Sequence, residues 1–163
     1  MGETEMHVTL ICGKLCAGKT TLAHKLRKEL HAVLLSCDEI TLALTGLDCG
    51  AAFDEIAART QDYLYDKAAE IVSDGIPVIL DWGFWTKESR RRAREFFAQR
   101  GIPYTFVYLD ISEEKHRARI AKRNAAVKAG QVLAYYVDEG LARKFEEKFE
   151  VPEEWEIDTR ITQ

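Results

Sequence analysis

The chain has 163 residues, 47% hydrophobic and 31% charged, with a formal net charge of −4. That is apolar content enough for one domain, residues 1–163, with a real core, and too acidic a balance for the broad basic surface that long nucleic acids require. No apolar run reaches the roughly 20 residues of a membrane-crossing helix. The acidic start Met1-Gly2-Glu3-Thr4-Glu5 lacks the plan of a signal peptide or an acylation site. A cytoplasmic location without a membrane partner is therefore expected.

The first apolar run, Val8-Thr9-Leu10-Ile11-Cys12, reads as a strand. It feeds directly into Gly13-Lys14-Leu15-Cys16-Ala17-Gly18-Lys19-Thr20, which fits G-x-x-x-x-G-K-[ST], the phosphate-binding P-loop. Behind it Leu22, Leu26 and Leu30 recur at i, i+4, i+8, one face of a helix. Gly13 and Gly18 allow a nest whose N–H groups point at phosphate oxygens, and the helix adds its positive end. Residues Gly13 to Thr21 are expected to hold a nucleoside triphosphate. Lys19 would reach the β- and γ-phosphates, and Thr20 would ligate a bridging Mg²⁺.

Cys12, Cys16, Cys37 and Cys49 form no C-x-x-C pair and have no histidine at metal-ligand spacing. They read as small apolar fillers near the sheet. Cys16 is the exception, because it lies inside the phosphate loop. Its oxidation or alkylation is expected to block nucleotide binding.

Further along, Ala32 to Cys37 reads as a buried parallel strand. Asp38 and Glu39 stand at its carboxyl end, the edge where open α/β sheets bind ligands. Asp38 is read as a general base or as a helix N-cap, with Glu39 the weaker candidate. Leu44 to Gly50 reads as a loop, and helix spacing resumes from Ala51 to Ser73. Arg59 and Tyr63 on its polar side are candidates for an acceptor pocket. Asp74-Gly75-Ile76-Pro77 ends that helix and Val78-Ile79-Leu80-Asp81 reads as the next strand. Asp81 at its tip reads as a second Mg²⁺ carboxylate or as a turn aspartate. Trp82-Gly83-Phe84-Trp85 either wall the acceptor site or pack beneath the loop.

Thr86-Lys87-Glu88-Ser89 has the order of a capped helix start, and the arginines from Arg90 to Arg100 read as a solvated face. Gly101-Ile102-Pro103 then precedes a strand over Tyr104–Asp110. The alternation argues for βαβ units, a parallel sheet and the α/β class. Residues 112–130 follow the fourth strand, where small P-loop kinases place a lid. Arg119 and Arg123 share a helix face there, positioned to close on a γ-phosphoryl group, with Ala125–Gly130 as the lid loop. An amphipathic helix is expected over Val132–Phe149, with Leu133, Tyr136, Val137, Leu141, Phe145 and Phe149 packing. A final strand is expected over Trp155–Thr159.

These motifs together resemble the small P-loop ATP-binding proteins grouped with zeta toxins, chloramphenicol phosphotransferase and polynucleotide 5′-hydroxyl kinases. More narrowly, the chain resembles a subgroup of predicted bacterial kinases. The shared features are the P-loop, Ser36-Cys37-Asp38-Glu39, Leu80-Asp81-Trp82-Gly83-Phe84-Trp85-Thr86-Lys87-Glu88-Ser89-Arg90, Arg119-Ile120-Ala121-Lys122-Arg123-Asn124 and Phe149-Glu150-Val151-Pro152. The resemblance implies a P-loop NTPase domain with a five-stranded parallel sheet in order 2-3-1-4-5, helices on both faces and a short helical lid. It also implies ATP with Mg²⁺, and Asp38 as the base. One departure stands out: many relatives carry an arginine three residues after the equivalent of Asp38, contacting acceptor or phosphate, and here that position is Thr41.

The reading that follows is an ATP-dependent kinase acting on a small-molecule hydroxyl, with Lys19, Asp38, Arg119 and Arg123 as its catalytic residues. The alternatives are a kinase of nucleotides or nucleic-acid 5′ ends, and a non-kinase ATP-binding regulatory module.

Overall fold

The four apolar runs read as strands become neighbours in one parallel sheet, and a fifth, more polar strand joins its edge. The computed structural model describes residues 7–46, 50–132 and 136–163. Met1–Glu5, Cys49 and Leu133, named above, lie outside the described residues. The chain order is β1 (Val8–Gly13), α1 (Lys19–Leu30), β2 (Val33–Ser36), α2 (Cys37–Thr45), α3 (Phe53–Ser73), β3 (Val78–Asp81), α4 (Lys87–Gln99), β4 (Tyr104–Asp110), α5 (Glu113–Lys128), α6 (Glu139–Lys148) and β5 (Thr159–Thr162). The five strands run in the order β2-β3-β1-β4-β5, all parallel. β1 is central and buried along its whole length, as its unbroken apolar run requires.

Successive residues of β1 face opposite sides of the sheet. Val8, Leu10 and Cys12 pack with Leu64, Tyr65 and Ala68 of α3 and Ala93 and Phe97 of α4. Ile11 faces the other way, onto Ala23, Leu22 and Leu26 of α1. Helices thus cover both faces. The register pairs Ile11 with Asp81 and Leu35 with Leu80, so the carboxyl ends of β1, β2 and β3 finish side by side. Among the described residues no helix is long and apolar enough to cross a membrane.

The structure departs from the sequence expectations in five places. β2 stops at Ser36, whose side chain accepts the Glu39 N–H at 3.3 Å and caps α2. Asp38 is therefore not the N-cap, and its carboxylate is left for other work. α5 continues helically to Lys128, so Ala125–Lys128 is not a loop. The turn comes at Gly130, in the left-handed region with φ 68°.

The helix expected over Val132–Phe149 begins only at Glu139, where Asp138 accepts the Leu141 N–H at 2.7 Å. The Asn124 side chain takes both the N–H and the carbonyl of Val137, which holds that segment out of helix. The last strand starts at Thr159 rather than Trp155, because Glu154–Glu156 forms a 3₁₀ turn that directs Glu156 inward. Finally, Arg90 does not belong to a solvated face. It is completely buried, whereas Arg91 and Arg92 on the same helix and Arg100 just after it are exposed.

Candidate active site

The site starts where β1 ends. The chain turns through Cys16 at φ 60° and Gly18 at φ 98°, both left-handed, and Ala17 N–H closes the turn on Lys14 O at 3.1 Å. At Gly18 two constraints meet. The left-handed φ favours glycine, and a Cβ would come within 2.9 Å of Arg119 Nη1. No side chain caps the start of α1, so its first N–H groups are available to an anion.

Lys19 lies folded over the loop, with Nζ donating to Gly13 O at 3.1 Å and Lys14 O at 2.7 Å. One residue on, Thr20 Oγ1 donates to Asp81 Oδ2 at 2.9 Å. The Ile11–Asp81 register brings that pair together across the sheet. A hydroxyl and a carboxylate side by side suit Mg²⁺, which prefers hard oxygens and takes most of its shell from phosphates and water. No cluster of three or more His, Cys, Asp or Glu suited to a metal occurs among the described residues. The donor set therefore fits a metal that arrives with a phosphate.

These residues line a cleft of about 690 Å³ that also takes in Leu15, Cys16, Asp38, Trp82, Arg119 and Arg123. Asp38 sits in the first turn of α2 and is accessible from the cleft. Loss of water on its protein-facing sides pushes its pKa up, opposed by the charges of Lys19 and Arg123. Asp81 is raised in the same way, with the Thr20 hydrogen bond and Lys19 opposing. Burial lowers the Lys19 pKa against the pull of Asp81 and Asp38. The fold thus brings three charged groups together at a net cost in hydration.

From the other side α5 leans on the phosphate loop. Arg123 Nη1 donates to Cys16 Sγ at 3.5 Å, and its charge acts on Asp38. Arg119 donates to Ala17 O and to Gln163 Oε1, placing it toward the β5 side of the cleft. His116 Nε2 donates to Leu15 O at 2.6 Å, which pins the base of α5 to the loop.

The aromatic run resolves into packing with one edge in the site. Trp82 and Phe84 are buried and stacked, with centroids 5.0 Å apart, and Trp82 also meets Tyr65 edge-on. Trp85 turns to the phosphate loop, where Nε1 donates to Gly13 O at 3.2 Å. Only Trp82 of the run lines the cleft. Arg59 and Tyr63 are exposed on α3, where Arg59 pairs with Glu55, and neither lines the cleft. Glu39 is also outside it.

Three lining residues carried no sequence signal of their own: Lys25, Ile161 and Gln163. Lys25 stands one helical turn after Thr21, and that spacing was the single clue available. Ile161 and Gln163 reach the site only because β5 pairs with β4.

Comparison with known proteins agrees with this architecture. A shikimate kinase of Corynebacterium efficiens is 26% identical over 129 residues, spanning 78% of this chain and 69% of that protein. The Mycobacterium tuberculosis APS kinase, solved with AMPPNP and APS, superposes with a TM-score of 0.68. It is 21% identical, over 96% of this chain and 87% of that one. A gluconokinase from Sinorhizobium meliloti superposes with a TM-score of 0.66 at 14% identity, over 97% and 83% of the two chains. The likeness shows a P-loop kinase-like fold. Residues 8–147 match the family described as AAA domain, and the chain belongs to that family.

Proposed function

We propose that this protein is a kinase that transfers the γ-phosphoryl group of Mg·ATP to a hydroxyl of a small molecule. The observation that carries this reading is the placement of Asp38. Ser36 does the capping of α2, so the Asp38 carboxylate is free to face the cleft it shares with Lys19 and Arg123. A module that only binds nucleotide has no use for a carboxylate there.

The phosphate loop N–H groups and the start of α1 hold the triphosphate, and Lys19 exchanges Gly13 and Lys14 carbonyls for phosphate oxygens. Thr20 and Asp81 would hold Mg²⁺, which when bound neutralises charge on the β- and γ-phosphates. Asp38 orients the acceptor hydroxyl and takes its proton as the hydroxyl oxygen bonds to the γ-phosphorus. The bond to the β–γ bridging oxygen breaks and ADP leaves. A raised carboxyl pKa suits a group that must accept a proton near neutrality. Arg123 stabilises charge at the transferring end, and Arg119 closes on the triphosphate from the β5 side. The kinases that share the fold act on small molecules by name, which supports the acceptor class. The cytoplasm holds the ATP this chemistry needs.

The test is ADP release from Mg·ATP with and without pooled hydroxyl acceptors, with Asp38→Asn beside the wild type and an ATP titration of both. The expected result is intact ATP binding and a loss of about 10²–10⁴ in acceptor-dependent rate in the variant. Full transfer by Asp38→Asn refutes the assignment. Binding of ATP with no acceptor response favours the regulatory module.

A further inference from the structure

The phosphate loop is held from outside as well as from within. This step rests on the nucleotide site of the kinase reading. We propose that Trp85 is a positioning residue for Lys19: its indole N–H keeps the Gly13 carbonyl satisfied when the lysine leaves for the triphosphate, and so helps set how tightly nucleotide is bound.

Lys19 Nζ rests on two carbonyls, Gly13 O at 3.1 Å and Lys14 O at 2.7 Å. To reach phosphate it must give up both. Each of them has a second donor. Lys14 O accepts the Ala17 N–H at 3.1 Å, a bond made within the loop itself. Gly13 O accepts the Trp85 Nε1–H at 3.2 Å, from 72 residues along the chain. Gly13 is buried, so stripping its carbonyl of donors costs more than it would at a water-facing position. The two carbonyls that Lys19 releases are thus covered, one by the turn of the loop and the other by a tryptophan outside the motif.

The fold is built to keep the indole there. Gly83 O accepts the Gly13 N–H at 3.3 Å, so residues 83 and 85 grip both backbone groups of Gly13. A Cβ on residue 83 would stand 1.8 Å from Trp85 Nε1, and the approach therefore requires glycine. Trp85 O accepts the Glu150 N–H at 2.8 Å, and Phe145 of α6 stands edge-on to the indole with ring centroids 4.7 Å apart. Trp85 does not line the cleft. It acts on nucleotide through Gly13 and Lys19 rather than by touching it.

The consequence is a coupling between two residues. With Lys19 on the phosphates, the wild-type Gly13 carbonyl keeps the indole donor. In Trp85→Phe it loses both, so the lysine departs at a higher cost. In Lys19→Met no exchange takes place on binding, and the same Trp85→Phe change costs nothing in affinity. A tryptophan that only props up the loop would weaken binding equally in both backgrounds.

The experiment titrates Mg·ATP by calorimetry into the wild type, Trp85→Phe, Lys19→Met and the double variant, with urea unfolding of each beside it. It needs no acceptor. The expected result is ATP binding about three- to tenfold weaker in Trp85→Phe than in the wild type, the net worth of one hydrogen bond. In the Lys19→Met background the same change is expected to cost less than about twofold. Equal losses in the two backgrounds overturn the inference, and so does unchanged affinity in Trp85→Phe. Should Trp85→Phe not fold, Phe145→Ala leaves the N–H but removes the ring that holds the indole. It is expected to repeat the pattern, with equal losses in both backgrounds again overturning the inference. Failure of the wild type to bind Mg·ATP overturns the nucleotide site and the inference with it. Binding with the expected coupling but no acceptor-dependent ADP release removes the kinase reading and leaves this inference standing.

Discussion

Arg90 and Glu156 form a two-point ion pair with no exposed surface on either side chain. Arg90 Nε donates to Oε1 at 3.0 Å and Nη2 to Oε2 at 3.2 Å. The remaining nitrogen, Nη1, donates to the carbonyls of Phe84 and Glu150, each at 3.0 Å. Glu156 also accepts the Glu153 N–H at 2.9 Å. The pair therefore clamps α4, the loop after Asp81 and the turn before β5 around one guanidinium. Phe84, whose carbonyl it holds, is itself in the left-handed region at φ 44°. The clamp is what supports that strained residue beside the site.

Removing one partner leaves a buried charge uncompensated, which typically costs about 3–5 kcal/mol. Arg90→Met or Glu156→Leu is expected to lose that much in urea unfolding, and the double variant to recover most of it. Single losses below about 1 kcal/mol would show that the pair does not hold the fold. Burial opposes ionisation of Glu156. The hydrogen bonds from Arg90 and Glu153, and the charges of Arg90 and Arg94, outweigh it and hold the carboxyl below its ordinary 4.5. Its contribution is thus complete above pH 4.5 and lost as pH falls through the lower folded value.

Asp38 has the opposite sign. Its folded pKa lies above the ordinary 3.8, so the ionised form is penalised in the folded state. Protonation is favoured by folding, and stability falls as pH rises from 3.8 through the folded value. Asp38→Asn is therefore expected to melt higher than the wild type at pH 7. The gap should close as pH drops below 3.8. A variant that melts lower at pH 7 would mean that attraction to Lys19 and Arg123 wins over desolvation.

Gly83 tests the anchor of the phosphate loop. Its carbonyl accepts the Gly13 N–H at 3.3 Å, and a Cβ there would stand 1.8 Å from Trp85 Nε1. Gly83→Ala must push the indole off the Gly13 carbonyl. We expect a loss of about 1–3 kcal/mol in stability together with weaker ATP binding. A change in stability with unaltered ATP affinity would separate the Trp85 contact from nucleotide binding.

Cys16 differs from the other described cysteines. Cys12 and Cys37 are buried, and burial pushes their thiols up to about 11 and about 12, so both are poor nucleophiles at neutral pH. Cys16 is partly exposed in the cleft and touches Arg123. N-ethylmaleimide is expected to weaken ATP binding at least about tenfold. Bound ATP should protect, and Cys16→Ser should be resistant. Complete labelling of Cys16 with unchanged ATP affinity would exclude the thiol from the nucleotide path.

The parts of the cleft legible in the sequence are those built by neighbours in the chain. The phosphate loop needs Gly18, Lys19 and Thr20 at fixed spacing, because one turn of backbone makes the nest. Asp81 is legible because a four-residue apolar strand can end only at the sheet edge. Ser36-Cys37-Asp38-Glu39 was read at the carboxyl end of β2, where it lies, but which residue caps the helix was not, since both Ser36 and Asp38 suit that role and the end of β2 at Ser36 decides between them.

What the sequence could not show depends on partners far away along the chain. Arg90 looks like one arginine among several on a charged helix, and its burial follows from Glu156, 66 residues later. The late start of α6 follows from Asn124 holding Val137, which no helical periodicity records. Gln163 meets Arg119 only through the pairing of β4 with β5. Local spacing determined the phosphate cradle and the order of strands and helices, because those rest on backbone geometry within a few residues. The buried clamp, the packing of Trp82 to Trp85 and the gathering of Lys19, Asp38, Asp81 and Arg123 in one cleft were decided by the tertiary structure. They exist only where the folded sheet and its helices bring distant side chains out of water together.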